Sequence, residues 1–300
     1  MNISAGLVIP SKNAGARWAD VIAGICSQQG VDLDVLVVDS GSTDQTVALA
    51  RDAGFRVMEI PSSEFGHGAT RQMALEQFRN HRWVLFMTQD AILCSPTSVL
   101  SLLGIFRDRR IALAYGRQVP HENATPAARR LREFNYPEQS SIRSYEDRHL
   151  LGLKTAFNSN SFAAYDRARL VSAGGFCLTA AVGEDVLACA ALLRAGYCSA
   201  YVADATVFHS HNYSLIEEFS RYQSIGAMHA TFPDLLRDFG QPEGEGLRLV
   251  WREVSEVLRR SPFQLWDVIA RSAVRYLGYR LGRMRASKPF PPVSTNSAKP

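Results

Sequence analysis

Across the first 115 residues, short and nearly unbroken apolar runs alternate with stretches of helical period, and this alternation restricts the fold more than any other feature. Residues 6–9, 35–38, 56–60 and 83–87 read as strands. Residues 17–29, 43–53, 69–78 and 95–106 read as helices, the last opened by Ser95-Pro96, a helix-start signal. Strands that are apolar throughout are covered on both faces, which is the habit of parallel sheets. Alternation of such strands with helices predicts an α/β domain, a mostly parallel central sheet with helices on both sides. A chain of 300 residues with 46% hydrophobic content holds one large domain of this kind or two small ones.

The pattern changes further on. Residues 120–152 are polar and weakly periodic, with a helix expected at 127–134 and loop elsewhere. A strand is expected at 156–165 and a short helix at 167–173, closed by Gly174-Gly175. A helix at 184–195 stops at Gly196, a usual C-terminal signal. Strand pieces at 199–202 and 206–208 precede a helix at 215–229. Beyond it, Leu247, Val250, Trp251, Val254, Val257 and Leu258 recur at helical spacing, as do Trp266, Ile269, Ala273, Tyr276, Leu277 and Leu281. The expected organisation is a catalytic region at 1–235, basic amphipathic helices at 236–286 and a disordered tail at 287–300.

Charge is uneven. Nine arginines and three carboxylates between 248 and 285 put +6 on that segment and leave −2 for the rest, against a total of +4. Positive charge on amphipathic, Trp-containing helices suits the surface of an anionic membrane, and equally a pair of helices packed with arginines outward. The five cysteines form no C-x-x-C pair, which argues against a disulfide framework or a zinc site. The N-terminus lacks a basic start with a long apolar run, and no stretch has the ~20 apolar residues of a spanning helix. The expected location is cytoplasmic, with peripheral contact at the inner face of the plasma membrane.

Four clusters carry chemistry, each just after a strand or entering a helix, the edge where α/β sheets bind ligands. In Val38-Asp39-Ser40-Gly41-Ser42-Thr43-Asp44, Asp39 can accept from a base or ribose, and Gly41 and Ser42 let backbone approach. Asp44 is explained as a helix cap. In Gly66-His67-Gly68-Ala69-Thr70-Arg71, a helix N-terminus and Arg71 suit a diphosphate. In Thr88-Gln89-Asp90, a strand-end carboxylate suits a divalent cation bridging phosphates, or merely caps a turn. In Gly183-Glu184-Asp185, Glu184 favours the helix dipole and Asp185 can serve as a base. Downstream, His209 and His211 share a face of an extended segment and one of them can ligate metal, with His211 better read as a polar hydrogen-bonding residue.

In this order and spacing, over roughly residues 3 to 230, the clusters resemble glycosyltransferase family 2, which has the GT-A fold. The bacterial rhamnosyltransferases within it are similar at residues 64–71, at Thr88-Gln89-Asp90-Ala91, at Tyr115-Gly116-Arg117-Gln118 and at His209-Ser210-His211-Asn212-Tyr213. The resemblance implies that Pro10 and Asp39 hold the nucleoside, with Ser11, Gly41, Ser42, Gly68 and Gln89 around the nucleotide sugar. Arg71 would face the diphosphate, and Asn158, Ser159 and Asn160 would line the sugar pocket. Asp90 and His209 would bind Mg2+ or Mn2+, with Asp185 as base and Glu184 beside it. The wider family carries Asp-x-Asp where this chain has Thr88-Gln89-Asp90; the rhamnosyl subgroup shares the change, which leaves the metal site poorer in charge. The implied activity is inverting transfer of L-rhamnose from dTDP-L-rhamnose to a lipid-linked surface polysaccharide precursor. Rival readings are a family 2 enzyme with another donor, a non-catalytic nucleotide-sugar module, a sugar-phosphate nucleotidyltransferase and a basic nucleic-acid adaptor. Pro10-Ser11-Lys12-Asn13 is not the glycine-rich basic loop of a nucleotidyltransferase. The apolar stripes on the basic helices argue against nucleic acid.

Overall fold

Nine strands join one sheet in the computed structural model, which describes residues 2–285. The tail expected at 287–300 lies outside the described residues. The strands are β1 (Ile3–Ser11), β2 (Val31–Asp39), β3 (Arg56–Glu59), β4 (Trp83–Met87), β5 (Ile92–Leu93), β6 (Ile111–Val119), β7 (Ser141–Arg143), β8 (Phe162–Asp166) and β9 (Cys198–Phe208). Their order is β3-β2-β1-β4-β8-β6-β9-β5, with β7 also on β9. Parallel pairing runs through β3, β2, β1 and β4. β8 is antiparallel to both β4 and β6, and β6 is parallel to β9. β1, β2, β4, β6 and β9 therefore end at one edge of the sheet, and β8 begins there.

Eight helices accompany these strands in the first compact unit, residues up to 180 and 184–212. They are α1 (Trp18–Cys26), α2 (Thr46–Asp52), α3 (His67–Glu76), α4 (Ser98–Gly104), α5 (Pro126–Asn135), α6 (Arg148–Leu151), α7 (Arg167–Ser172) and α8 (Glu184–Arg194). Strand side chains alternate between faces. Ala5, Leu7 and Ile9 of β1 join Trp18, Val21 and Ile25 of α1 and Val99 and Leu102 of α4 in one buried cluster. On the opposite face Gly6 leaves room for the Phe78 ring, and Phe86 packs edge-on to Tyr165 and Phe176. Both faces are covered, as the unbroken apolar strands predict.

Three local differences have physical causes. β6 was not expected, although residues 111–115 are wholly buried and apolar. β9 is one strand where two pieces were expected, because its register against β6 jumps from Gly116↔Val202 to Arg117↔Thr206 and the extra residues break the apolar pattern. A side chain at Gly116 would overlap the Ala205 carbonyl and the Phe162 ring. The strand expected from 156 begins only at Phe162 because residues 158–161 turn aside into side-chain hydrogen bonds.

The second compact unit comprises 181–183 and the chain from 213 onward. It holds α9 (Leu215–Thr231), α10 (Pro233–Phe239), α11 (Glu243–Arg260) and α12 (Leu265–Arg285). α9, grouped by the sequence with the region to 235, and α10, which crosses that boundary, fall in this second unit with the basic helices. Ser214 and Glu217 form a reciprocal capping box at the start of α9. α9 and α12 approach closely: a Cβ on Gly226 would overlap Tyr279, one on Gly278 would overlap Phe219, and one on Gly282 would overlap Gln223. Arg275 is buried and bonded to both Glu218 oxygens and to Glu253, each at 3.1 Å. The expectation of outward arginines therefore fails at Arg275, where packing in the helix interface supplies counter-charges. On α11, Leu249 and Val257 face inward, while Leu247, Trp251 and Leu258 remain exposed. Phe263, Trp266, Ile269 and Tyr276 are exposed as well.

Candidate active site

The loops after β1 and β2 are laced together by side chains that the sequence assigned to a ligand. Asp39 is buried, and its carboxylate accepts from Ser11 Oγ, from the backbone N–H of Gly41 and Ser42, and from Ser42 Oγ. These four bonds fill its lone pairs. Asp39 thus shapes the turn that the sequence placed at a nucleoside. Gly41 takes a positive φ of 89°, which the turn requires. Gln89, also expected at the ligand, is clamped on the Lys12 backbone, accepting from its N–H at 2.7 Å and donating to its carbonyl at 3.2 Å. Pro10 is half-buried at the end of β1, opposite Val38.

Asp90 follows β4 and meets the residues that follow β9. Its Oδ1 is 3.4 Å from His209 Nε2, and its Oδ2 is 3.6 Å from His211 Nε2. Their ligand atoms all lie within 4.8 Å of one another. Burial pushes the Asp90 carboxyl up, but the His209 and His211 rings outweigh it and hold the group far below the usual carboxylate range. His211, read as the less promising histidine, stands with His209 at the same carboxylate, the two rings edge to face. One carboxylate and two imidazoles converging on a small space fit a divalent cation.

A second network lies at the start of α8. Arg71, expected to face a diphosphate, is buried and paired with Glu184 at 2.9 Å. A buried guanidinium requires a counter-charge, and Glu184 supplies it. Burial raises the Glu184 carboxyl, but Arg71 wins and the net shift is downward. Gly68, expected at the ligand, instead lets α3 press against the Cys177 carbonyl. Asn160 donates its side-chain amide to Glu184 at 3.1 Å and its backbone N–H to Asp185 Oδ2 at 3.3 Å. Tyr165 Oη receives from Asn158 and donates to Asn160. Asn158 Oδ1 is buried and has no partner among the described residues.

Asp185 is half-buried, and its carboxyl is pushed up to about 7, first by burial and then by the adjacent Glu184 charge. A carboxylate poised near neutral pH suits a general base. Two residues without a sequence assignment complete the surroundings. Gln118 bonds the His209 ring, and His121 is buried with its backbone N–H on Ser210 Oγ. Both belong to or follow β6, a strand the sequence did not show, so the Gln118 of the 115–118 motif had no role assigned and His121 went unnoticed.

A cation-ready cluster at the sheet edge and a raised carboxyl on a helix start, on this sheet, define a GT-A type glycosyltransferase. The model of the family "Glycosyl transferase family 2" matches residues 7–170. The chain is 41% identical over 285 residues to the O-antigen chain rhamnosyltransferase RfbN of Salmonella typhimurium, covering 95% of this chain and 91% of the relative. It is 39% identical to WbaN, the O-antigen chain rhamnosyltransferase of Salmonella anatum, covering 95% and 90%. Among solved structures, the mannosyltransferase PcManGT of Pyrobaculum calidifontis, in complex with GDP-Man and Mn2+, has a TM-score of 0.60 at 16% identity, covering 96% of this chain and 85% of that one. The chain belongs to glycosyl transferase family 2 and is a glycosyltransferase.

Proposed function

We propose that the protein is an inverting rhamnosyltransferase that moves L-rhamnose from dTDP-L-rhamnose to a lipid-linked O-antigen or related surface-polysaccharide precursor. The observation that carries this reading is near full-length identity of 41% to an O-antigen chain rhamnosyltransferase. Asp90, His209 and His211 would hold a divalent cation. Two imidazoles beside a single carboxylate suit Mn2+ better than Mg2+, which prefers an oxygen shell. Such a cation supplies charge stabilisation for a departing diphosphate.

Asp185 takes the proton from the acceptor hydroxyl as its oxygen attacks the anomeric carbon opposite the leaving nucleotide, and the single displacement inverts the configuration. Glu184, paired with Arg71, keeps the first turn of α8 in place and raises the basicity of Asp185. Asn160 holds the Asp185 carboxylate by one N–H, leaving it directed by the 158–160 loop. Pro10 and the 39–42 turn bound the nucleoside. The exposed Leu247, Trp251, Phe263 and Trp266, set among arginines, favour peripheral contact with the cytoplasmic membrane face, where a lipid-linked acceptor resides. Among the described residues no helix is long and apolar enough to cross a membrane.

Screening the purified protein against nucleotide sugars, scored by nucleotide release, tests the donor. Release from dTDP-L-rhamnose should exceed release from UDP-glucose. Tighter binding and faster turnover of UDP-glucose would overturn the donor assignment and leave the family intact.

A further inference from the structure

Gln118 lies on β6, and His209 directly follows β9, the parallel neighbour of β6. Gln118 pairs with Val207 in the β6–β9 register, and the His209 N–H donates to the Val119 carbonyl at 2.9 Å. The buried Gln118 carboxamide therefore stands beside the His209 ring, its Oε1 2.9 Å from Nδ1. Its amide nitrogen donates to Ser159 Oγ at 2.9 Å. An amide oxygen only accepts, so in this orientation Nδ1 carries the proton. A neutral imidazole has one N–H, which leaves a lone pair on Nε2. That lone pair faces Asp90 Oδ1 at 3.4 Å, and His211 Nε2 stands 3.6 Å from the other Asp90 oxygen. A cation between them takes up that lone pair, and in its absence a proton on Nε2 does so by donating to Asp90, with Nδ1–H kept on Gln118. With the carboxamide turned over, its NH2 would donate to Nδ1, Nε2 would carry the proton, and His209 would donate to Asp90 instead of ligating.

The same carboxamide reaches further. Ser159 sits between Asn158 and Asn160, and Asn160 bonds both Glu184 and Asp185. We infer that Gln118 is a positioning residue that holds His209 as its Nδ1–H tautomer, turns Nε2 toward Asp90 and His211, and fastens that ring to the loop that carries hydrogen bonds to Asp185. The consequence for ligation rests on reading the cluster as a cation site; the tautomer does not. Outer hydrogen bonds of this kind typically change metal affinity by about 10–100-fold.

The test uses the full chain with 15N-labelled histidine, metal-free, to read the His209 tautomer, and Mn2+ titration followed by electron paramagnetic resonance. Wild type should show Nδ1–H. Gln118→Leu should move His209 toward Nε2–H and weaken Mn2+ by about 10–100-fold. Gln118→Glu, which still accepts from Nδ1, should keep the tautomer and bind Mn2+ at least as tightly as Gln118→Leu. An Nε2–H tautomer in wild type, measurable even if the variants fail to fold, would overturn the inference. So would an unchanged Nδ1–H tautomer in a folded Gln118→Leu. Absence of Mn2+ binding by wild type with the Nδ1–H tautomer intact would overturn the cation reading and sustain the role of Gln118 in fixing the ring.

Discussion

At the scale of single residues, the site separates two carboxylates by environment. Asp90 is held far down by two histidines, and Asp185 is lifted to about 7 by burial and by Glu184. Proton removal from the acceptor needs Asp185 ionised, so kcat/KM should rise with pH through about 7. A pH–rate profile checks this, and a flat profile between pH 6 and 8 would contradict it. The same shift affects stability. A carboxyl whose folded value lies above its unfolded value contributes stability that is present below the unfolded value of about 3.9 and is lost as pH rises toward the folded one. Asp185→Asn should therefore gain more in melting temperature over wild type at pH 8 than at pH 4. At the other carboxylate, Asp90→Ala should abolish most Mn2+ binding and lower transfer by orders of magnitude, and chelator should do the same to wild type. Full activity of wild type in chelator would give Asp90 another role.

At the scale of elements, legibility followed burial only in part, since β6 was missed although residues 111–115 are wholly buried. β4 and the central parts of β1 and β2, residues 7–9 and 35–38, could be read from sequence because both faces are covered and the side chains there are apolar. β9 could not be read whole, since a register jump interrupts its pattern, and with β6 overlooked Gln118 was noted in a motif but given no role. That Asp90 and His209 come together was legible in outline, because each follows a strand that ends at the same edge of the sheet. The protein partners of Arg71, Asp39 and Gln89, namely Glu184, the 41–42 backbone and the Lys12 backbone, were not legible, because they are set by tertiary packing that a linear pattern does not display. The close approach of α9 and α12 was equally invisible, although Gly278 and Gly282 stand four residues apart. Gly282→Ala places a methyl group against the Gln223 backbone and should cost about 1–3 kcal/mol, as overpacking of a fitted interface does. Thermal or urea unfolding measures it, and an unchanged midpoint would show that the helices separate freely.

At the scale of the whole molecule, the proposed acceptor is lipid-linked, which calls for contact with a membrane surface. The apolar residues exposed on α11 and α12 lie among seven exposed arginines, 248, 252, 259, 260, 280, 283 and 285. Replacing Trp251, Phe263 and Trp266 together by Ser should reduce flotation with anionic liposomes without lowering the melting temperature, because these side chains are exposed. Unchanged flotation of a folded variant would remove lipid contact from the account. The central claim is that this chain moves rhamnose by a single displacement with Asp185 as base. Single-turnover transfer from dTDP-L-rhamnose to its lipid-linked acceptor, measured for wild type and Asp185→Asn beside the donor dissociation constant of each, tests it most directly. Wild type should give an inverted rhamnosyl product, and Asp185→Asn a rate lower by ~10²–10⁴-fold with donor affinity nearly unchanged. Transfer by Asp185→Asn at the wild-type rate, or a product of retained configuration, would contradict it.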